Sequence, residues 1–162
     1  MAETRSLREA RTWAAAACFL LASFTAAAAG GLFGPGPWYE ALRKPAFTPP
    51  GWVFPIVWIA LYVSMAAGAW LVWKARGLRG GAGALVLFAV QLALNAAWTP
   101  VFFGLRSPGL AFALIVVLWL AVAATTAAFF RACVAAGALM APYLAWVSFA
   151  TALNFEIWRL NP

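Results

Sequence analysis

The chemistry open to this chain of 162 residues is narrow, because it has no histidine and four acids, Glu3, Glu9, Glu40 and Glu156, beside ten tryptophans. Most acid-base, metal-hydrolytic and triad mechanisms therefore lack their parts. Glu156 stands one helical turn before Arg159, where an interfacial ion pair is the plain expectation. Cys18 and Cys133 fall in or beside apolar stretches and are expected to pack as small side chains rather than to form a disulfide or hold a metal. What remains is aromatic and amide chemistry. Trp13, Trp52, Trp73 and Trp158 sit where indoles mark a membrane interface. Trp58, Trp98, Trp119 and Trp146 lie deeper. Three lines at helical spacing combine rings with amides or small residues: Phe54, Trp58 and Met65; Gln91, Asn95 and Trp98; Trp146, Ala150 and Asn154. Their convergence would make an apolar pocket with a few polar groups, suited to a flat hydrophobic ligand. Aromatic packing of a core would produce the same spacing, so both readings stand at this point.

The elements that position these residues follow from composition. With 66% hydrophobic and 9% charged side chains, the chain has too little polar surface for a soluble domain, and lipid must be its solvent. A hydrocarbon core about 30 Å thick needs roughly 20 apolar helical residues. Five stretches qualify, at about 13–31, 52–73, 82–103, 109–130 and 134–158, and they predict an all-α bundle of five transmembrane helices in a single domain over 1–162. The long apolar runs do not alternate as barrel strands do. The net charge of +7 lies in the segments between spans, which speaks for membrane orientation and against nucleic-acid binding. Arg5, Arg8, Arg11, Lys74, Arg76, Arg79 and Arg131 would share one side, and Arg43, Lys44, Arg106 and Arg159 the other, giving a cytoplasmic amino terminus. The Ala-rich composition suits a bacterial source. Three arginines followed by an apolar run and small residues also fit a cleavable signal, which would leave four spans.

The first span carries Ala14, Cys18, Ala22, Ala26 and Gly30 on one side, where helices approach closely or where an Ala-rich run shows the spacing by chance. Residues 33–51 contain Pro35, Pro37, Pro45, Pro49 and Pro50 and cannot be one helix. A short helical turn after Pro37 is expected, with Trp38, Tyr39 and Phe47 resting at the interface or covering the bundle's open end. Gln91 and Asn95 should turn inward, since an amide unsatisfied in hydrocarbon costs several kcal/mol. Ala89, Ala93 and Ala97 then fall roughly opposite, as a possible contact with the same span of a second subunit. Pro55, Pro100 and Pro142 lie near span ends, and Gly80-Gly81 and Ser107-Pro108-Gly109 read as tight turns. Ionisable groups at mid-depth, which a proton-coupled relay needs, are missing.

In several ordered blocks the sequence resembles the TspO/MBR family of translocator proteins, tryptophan-rich sensory proteins and peripheral-type benzodiazepine receptors. The blocks are Trp38-Tyr39 with Lys44-Pro45; Thr48-Pro49-Pro50-Gly51-Trp52-Val53, Trp58 and Leu61-Tyr62; Gln91-Leu92-Ala93-Leu94-Asn95, Trp98, Pro100 and Phe102-Phe103-Gly104; and Pro142-Tyr143-Leu144-Ala145-Trp146 with Leu153-Asn154. The resemblance implies a retained first span, a five-helix bundle that is commonly a homodimer, and a pocket beneath the first loop. It implies a tetrapyrrole ligand, protoporphyrin IX or haem, with no obligatory cofactor. The pocket wall it implies is Phe54, Trp58, Asn95, Trp98, Trp146 and Ala150; the expected ligand-binding set adds Trp38, Tyr39 and Asn154, and basic Arg43 and Lys44 are expected to meet the propionates. Haem iron would find no histidine, so the macrocycle rather than the metal should govern binding. The family also implies light-dependent porphyrin degradation, with Trp58 and Trp146 as reactive candidates and no firm catalytic residue. Transport of tetrapyrroles, a sterol-binding translocator and a stress-response partner are the alternatives. Two departures matter: the sterol motif has Phe155 between Leu153 and Arg159 where the family expects tyrosine, which makes cholesterol doubtful, and Leu110 replaces a pocket tryptophan of the animal members.

Overall fold

The computed structural model describes residues 2–162, with side chains described from residue 9 onward. The regular elements are all helical: α1 (Ala2–Gly31), α2 (Pro37–Ala41), α3 (Val53–Thr99), a π-helical turn over Pro100–Gly104, α4 (Pro108–Ala132) and α5 (Val134–Leu160). Four segments, Glu9–Gly31, Val53–Gly104, Pro108–Ala132 and Val134–Leu160, are long and apolar enough to cross a bilayer. The chain is an integral membrane protein of the helical type.

At 47 residues, α3 is too long for one crossing of a hydrocarbon core of about 30 Å at about 1.5 Å per residue. It breaks at Gly77, whose φ of 66° and ψ of −178° leave the helical region. Contacts across the break run in reverse order. Tyr62 bonds Asn95, Met65 meets Gln91, and Val72 packs against Gly81. α3 is therefore two antiparallel limbs, 53–76 and 78–99, each long enough to span, so the expected spans 52–73 and 82–103 are these limbs. The expected turn at Gly80-Gly81 is corrected. Reversal needs one residue at positive φ, which Gly77 supplies, since a Cβ is disfavoured there. Gly80 and Gly81 lie within the second limb, and a Cβ at Gly81 would stand 3.2 Å from Val72 Cγ1.

Pro100 opens the π turn, which closes with Leu105 N–H donating to Pro100 O at 2.9 Å. Arg106 then turns the chain at φ 52°, and Pro108 begins α4, where its missing N–H costs no helical bond. Between α4 and α5 stands Cys133 in extended conformation, φ −160° and ψ 124°. The two helices pair antiparallel along their length. A Cβ on Gly137 would strike the Phe130 ring, Trp119 Nε1 donates to Ser148 Oγ at 2.7 Å, and a Cβ on Gly109 would lie 2.8 Å from Trp158 Nε1. Arg76, at the tip of the α3 hairpin, donates to the last carbonyls of α4, from Nε to Ala132 at 3.3 Å and from Nη2 to Arg131 at 3.2 Å. These carbonyls have no intrahelical partner, so the guanidinium both caps α4 and ties the two hairpins together. The expected pair Glu156–Arg159 is present at 2.7 Å.

Candidate functional site

The first limb of α3 faces α5 along a seam of rings. Phe54 meets Trp146 edge-on at 5.9 Å, and Trp58 meets Tyr143 edge-on at 6.2 Å. Farther along, Ser64 Oγ donates to Leu139 O at 2.7 Å, and at Gly68 the Ala136 carbonyl comes within 3.2 Å of where a Cβ would lie. Steps of four, six and four residues on α3 thus meet steps of three, four and three on α5, the pattern of facing antiparallel helices. Trp58 also tilts against Tyr62 at 5.6 Å, and Trp146 against Phe149 at 5.4 Å. Ala150 packs beside them, half-buried.

Asn95 on the second limb joins this seam through hydrogen bonds. Tyr62 OH donates to Asn95 Oδ1 at 2.6 Å, and Asn95 Nδ2 donates to Tyr143 OH at 3.0 Å. The shorter contact suits O–H···O and the longer N–H···O, which fixes the sense of the chain. All three side chains are buried. The amide that sequence spacing turned inward therefore spends its polarity on two tyrosines. Neither was singled out as a site residue beforehand, although Tyr143 stands three residues before Trp146 and so shares its helix face.

A second cluster lies beneath the connection between α1 and α3. Phe102, in the π turn, is surrounded by Trp98 stacked at 4.9 Å, Trp38 at 5.8 Å, Tyr39 at 6.2 Å and Phe103 at 4.9 Å. Trp98 Nε1 donates to Asn154 Oδ1 at 3.1 Å, and Asn154 Nδ2 donates to Pro108 O at 2.9 Å. Asn154 thus links α5 to Trp98 and to the start of α4. Phe47 closes on Phe149 at 6.1 Å, which brings the connection over the seam. Lys44 Nζ donates to the carbonyls of Glu40 and Leu42, at 3.1 and 3.2 Å, and lies 4.6 Å from the Tyr39 ring centre. Its charge is engaged within the connection, whereas Arg43 is exposed. Burial pushes the Tyr39 phenol up from its ordinary value.

The structure thus brings Phe54, Trp58, Asn95, Trp146 and Ala150 to one seam, and Trp38, Tyr39, Trp98 and Asn154 to the adjoining cluster. A cavity of about 230 Å³ lined by Val116, Trp119, Ser148 and Thr151 lies elsewhere, between α4 and α5. Ala89, Ala93 and Ala97 are exposed along the second limb of α3. The indole N–H groups of the bundle divide into two kinds. Those of Trp70, Trp98 and Trp119 donate to Thr12 O, Asn154 and Ser148. Those of Trp58 and Trp146, both half-buried, make no hydrogen bond to any described residue. The seam offers aromatic faces, two indole N–H donors and phenols, a set able to bind a planar apolar molecule.

The sequence profile of the TspO/MBR family matches residues 14–159. The chain is 47% identical over 149 residues to a tryptophan-rich sensory protein of Cereibacter sphaeroides, an alignment covering 92% of each chain. It is 42% identical over 148 residues to Protein CrtK of Rhodobacter capsulatus, covering 90% of this chain and 92% of that protein. To the translocator protein of Homo sapiens it is 44% identical over 126 residues, covering 76% of this chain and 75% of the human protein.

Proposed function

The chain belongs to the TspO/MBR family, and from that premise we propose that it binds a tetrapyrrole, protoporphyrin IX or haem, at the seam between the first limb of α3 and α5. The observation that carries this reading is the pair of uncommitted indole N–H groups on Trp58 and Trp146. They stand on facing helices, among rings that stack on a flat macrocycle. Phe54, Tyr143 and Ala150 would supply the remaining apolar surface. Asn95 would act by holding Tyr62 and Tyr143 in place, and Asn154 by fixing Trp98. Trp38 and Tyr39 would close the site from above, with exposed Arg43 near the propionates. Binding would follow the macrocycle and not the metal, because no histidine exists in the chain.

Titration with metal-free protoporphyrin IX in darkness tests the reading through tryptophan fluorescence. Saturable quenching is expected, weaker in Trp58→Phe and in Trp146→Phe; quenching that stays the same in both variants refutes the site. The same samples under illumination, with product analysis, separate reversible binding from photo-oxidative degradation at those two rings. Ligand release to the far side of a sealed vesicle separates both from transport.

The exposed stripe Ala89, Ala93 and Ala97 supports a homodimer through the second limb of α3, since small side chains let helix backbones approach. Subunits crosslinked through a cysteine at position 93 support this contact, and a monomer in membranes opposes it. The exposed basic residues Lys74, Arg76, Arg79 and Arg131 support a cytoplasmic face at the tips of the two hairpins, with the amino terminus on the same side.

A further inference from the structure

Among the described residues, hydrogen-bond accounting leaves two fully buried side-chain atoms over. Asn95 and Asn154 use both ends of their amides. Thr25, Thr125, Thr126, Ser148 and Thr151 each donate to the carbonyl four residues back, the usual recourse of a hydroxyl in a membrane helix. Ser23 does not. Its Oγ has no partner, and neither has Oε1 of Gln91, although both side chains are completely buried.

These two atoms belong to one seam. Phe19 on α1 meets Phe88 on the second limb of α3 at 6.1 Å, and the Cβ position of Gly30 lies 3.1 Å from Thr99 Oγ1. The offset between partners is the same at both contacts, so α1 runs parallel to that limb. Phe19, Ser23, Ala26 and Gly30 form its inner stripe. The facing stripe is Phe88, Gln91, Asn95 and Thr99, and the common offset sets Ser23 opposite Leu92, one residue past Gln91. From a third side Met65 Sδ accepts weakly from Gln91 Nε2 at 3.9 Å.

The chemistry of the leftover atoms is specific. Ser23 offers an O–H donor, and Gln91 Oε1 can only accept. A group that satisfies the Ser23 O–H donor and the Gln91 Oε1 acceptor together must accept from one and donate to the other. A carbonyl cannot donate, and a cation would find no carboxylate, since the acids of the chain lie outside this stretch. A hydroxyl does both. Ala26 and Gly30 keep the α1 side small, and a single water-sized group needs little volume when polar partners surround it.

We propose that the seam between α1 and the second limb of α3 is a binding site for one hydroxyl group, held between Ser23 Oγ and Gln91 Oε1. Water and the alcohol of a membrane-soluble lipid share this chemistry. The site joins α1 to the tyrosine-linked core, because Gln91 stands one turn from Asn95. It is separate from the tetrapyrrole seam and stands whether or not a porphyrin binds.

Gln91 is the sole glutamine of the chain, so glutamine labelling gives a single side-chain carboxamide signal. The labelled protein is placed in discs of a phosphatidylcholine that carries no hydroxyl, and magnetisation transfer from water is recorded by solid-state NMR. Transfer to Gln91 is expected in the wild type, retained in Ser23→Thr and lost in Ser23→Ala, which identifies the group as water. If transfer is absent there but a long-chain alcohol added to the discs shifts the Gln91 carbonyl in wild type and not in Ser23→Ala, the hydroxyl is the lipid's. The wild type alone can overturn the site, by showing neither transfer nor shift. Either signal surviving undiminished in Ser23→Ala overturns it as well, provided the Gln91 backbone amide resonance shows an intact fold.

Discussion

Asn161 grips the backbone of Arg43 at both of its polar groups: Oδ1 accepts the Arg43 N–H at 3.0 Å, and Nδ2 donates to the Arg43 carbonyl at 2.9 Å. The same Nδ2 reaches Ile157 O at 2.7 Å, so the grip is anchored to the last turn of α5. The connection that overlies the ring seam is thereby held by the opposite end of the sequence.

Asn161→Ala should release this connection with little effect on the bundle. Each hydrogen bond is worth about 1 kcal/mol net. Hydrogen exchange should accelerate several-fold across residues 37–48 while α4 and α5 keep their protection. Equal acceleration in α5 would show that Asn161 supports the helix instead.

The two candidate turn sites in α3 respond oppositely to alanine. Gly77→Ala places a Cβ at φ 66° and should destabilise by about 1–2 kcal/mol. Gly80→Ala, where a Cβ would have ordinary contact with Arg76 Cβ at 3.5 Å, should be neutral or stabilise by up to about 1 kcal/mol. Thermal unfolding in one detergent compares them, and an equal loss at both would contradict reversal at Gly77.

Asn95→Ala should cost more than Tyr62→Phe. The first strands two buried phenols, at about 1–3 kcal/mol for each unsatisfied group, while the second removes a single bond. A double-mutant cycle between the two positions should give a coupling of at least about 0.5 kcal/mol. Additive effects would argue against the short Tyr62–Asn95 bond.

Trp98→Phe separates packing from ligand contact. It removes the donor to Asn154 and should lower stability by about 1–2 kcal/mol, yet leave porphyrin quenching close to the wild type once the protein is folded. A loss of affinity as large as that of Trp146→Phe would show that the Trp98 indole touches the ligand itself.

The Tyr39 phenol, raised above 10.0 by burial, gives a pH dependence of definite sign. The folded state holds the proton more tightly than the unfolded state, so the contribution is complete below pH 10 and is lost as pH climbs through the raised value. Tyrosinate absorbance should appear later for Tyr39 than for a free phenol, with ordering of the first connection lost in step. Tyr39→Phe should lower the tyrosinate absorbance by the share of one of the chain's three phenols over the pH range in which the connection loosens; an undiminished amplitude in that range would assign the titration to another tyrosine.

Much of this was legible in the residues. Run length and hydropathy located the membrane helices, and the cost of an amide in hydrocarbon turned Gln91 and Asn95 inward. The facing of Phe54 and Trp58 toward Trp146 followed from helical spacing. The reversal in α3 was misassigned because Gly77, Gly80 and Gly81 look alike until φ is known, and the paired glycines drew the reading away from the one that turns. Tyr62 and Tyr143 escaped notice as partners of Asn95 because spacing assigns a face to each helix but not the height at which two faces meet. The grip of Asn161 on Arg43 joins positions 118 apart with no local signature at either.

Arg76 fastens both hairpins where their tips meet, beside a one-residue joint at Cys133. The opposite edge has the long first connection and the π turn at Pro100. That edge is fastened too, but by the neutral amides of Asn154 and Asn161 rather than by a guanidinium. Since hydrogen bonds from a charged group are the stronger kind, the rods are clasped unequally at the two leaflets, and parting them costs less on the side of the amides.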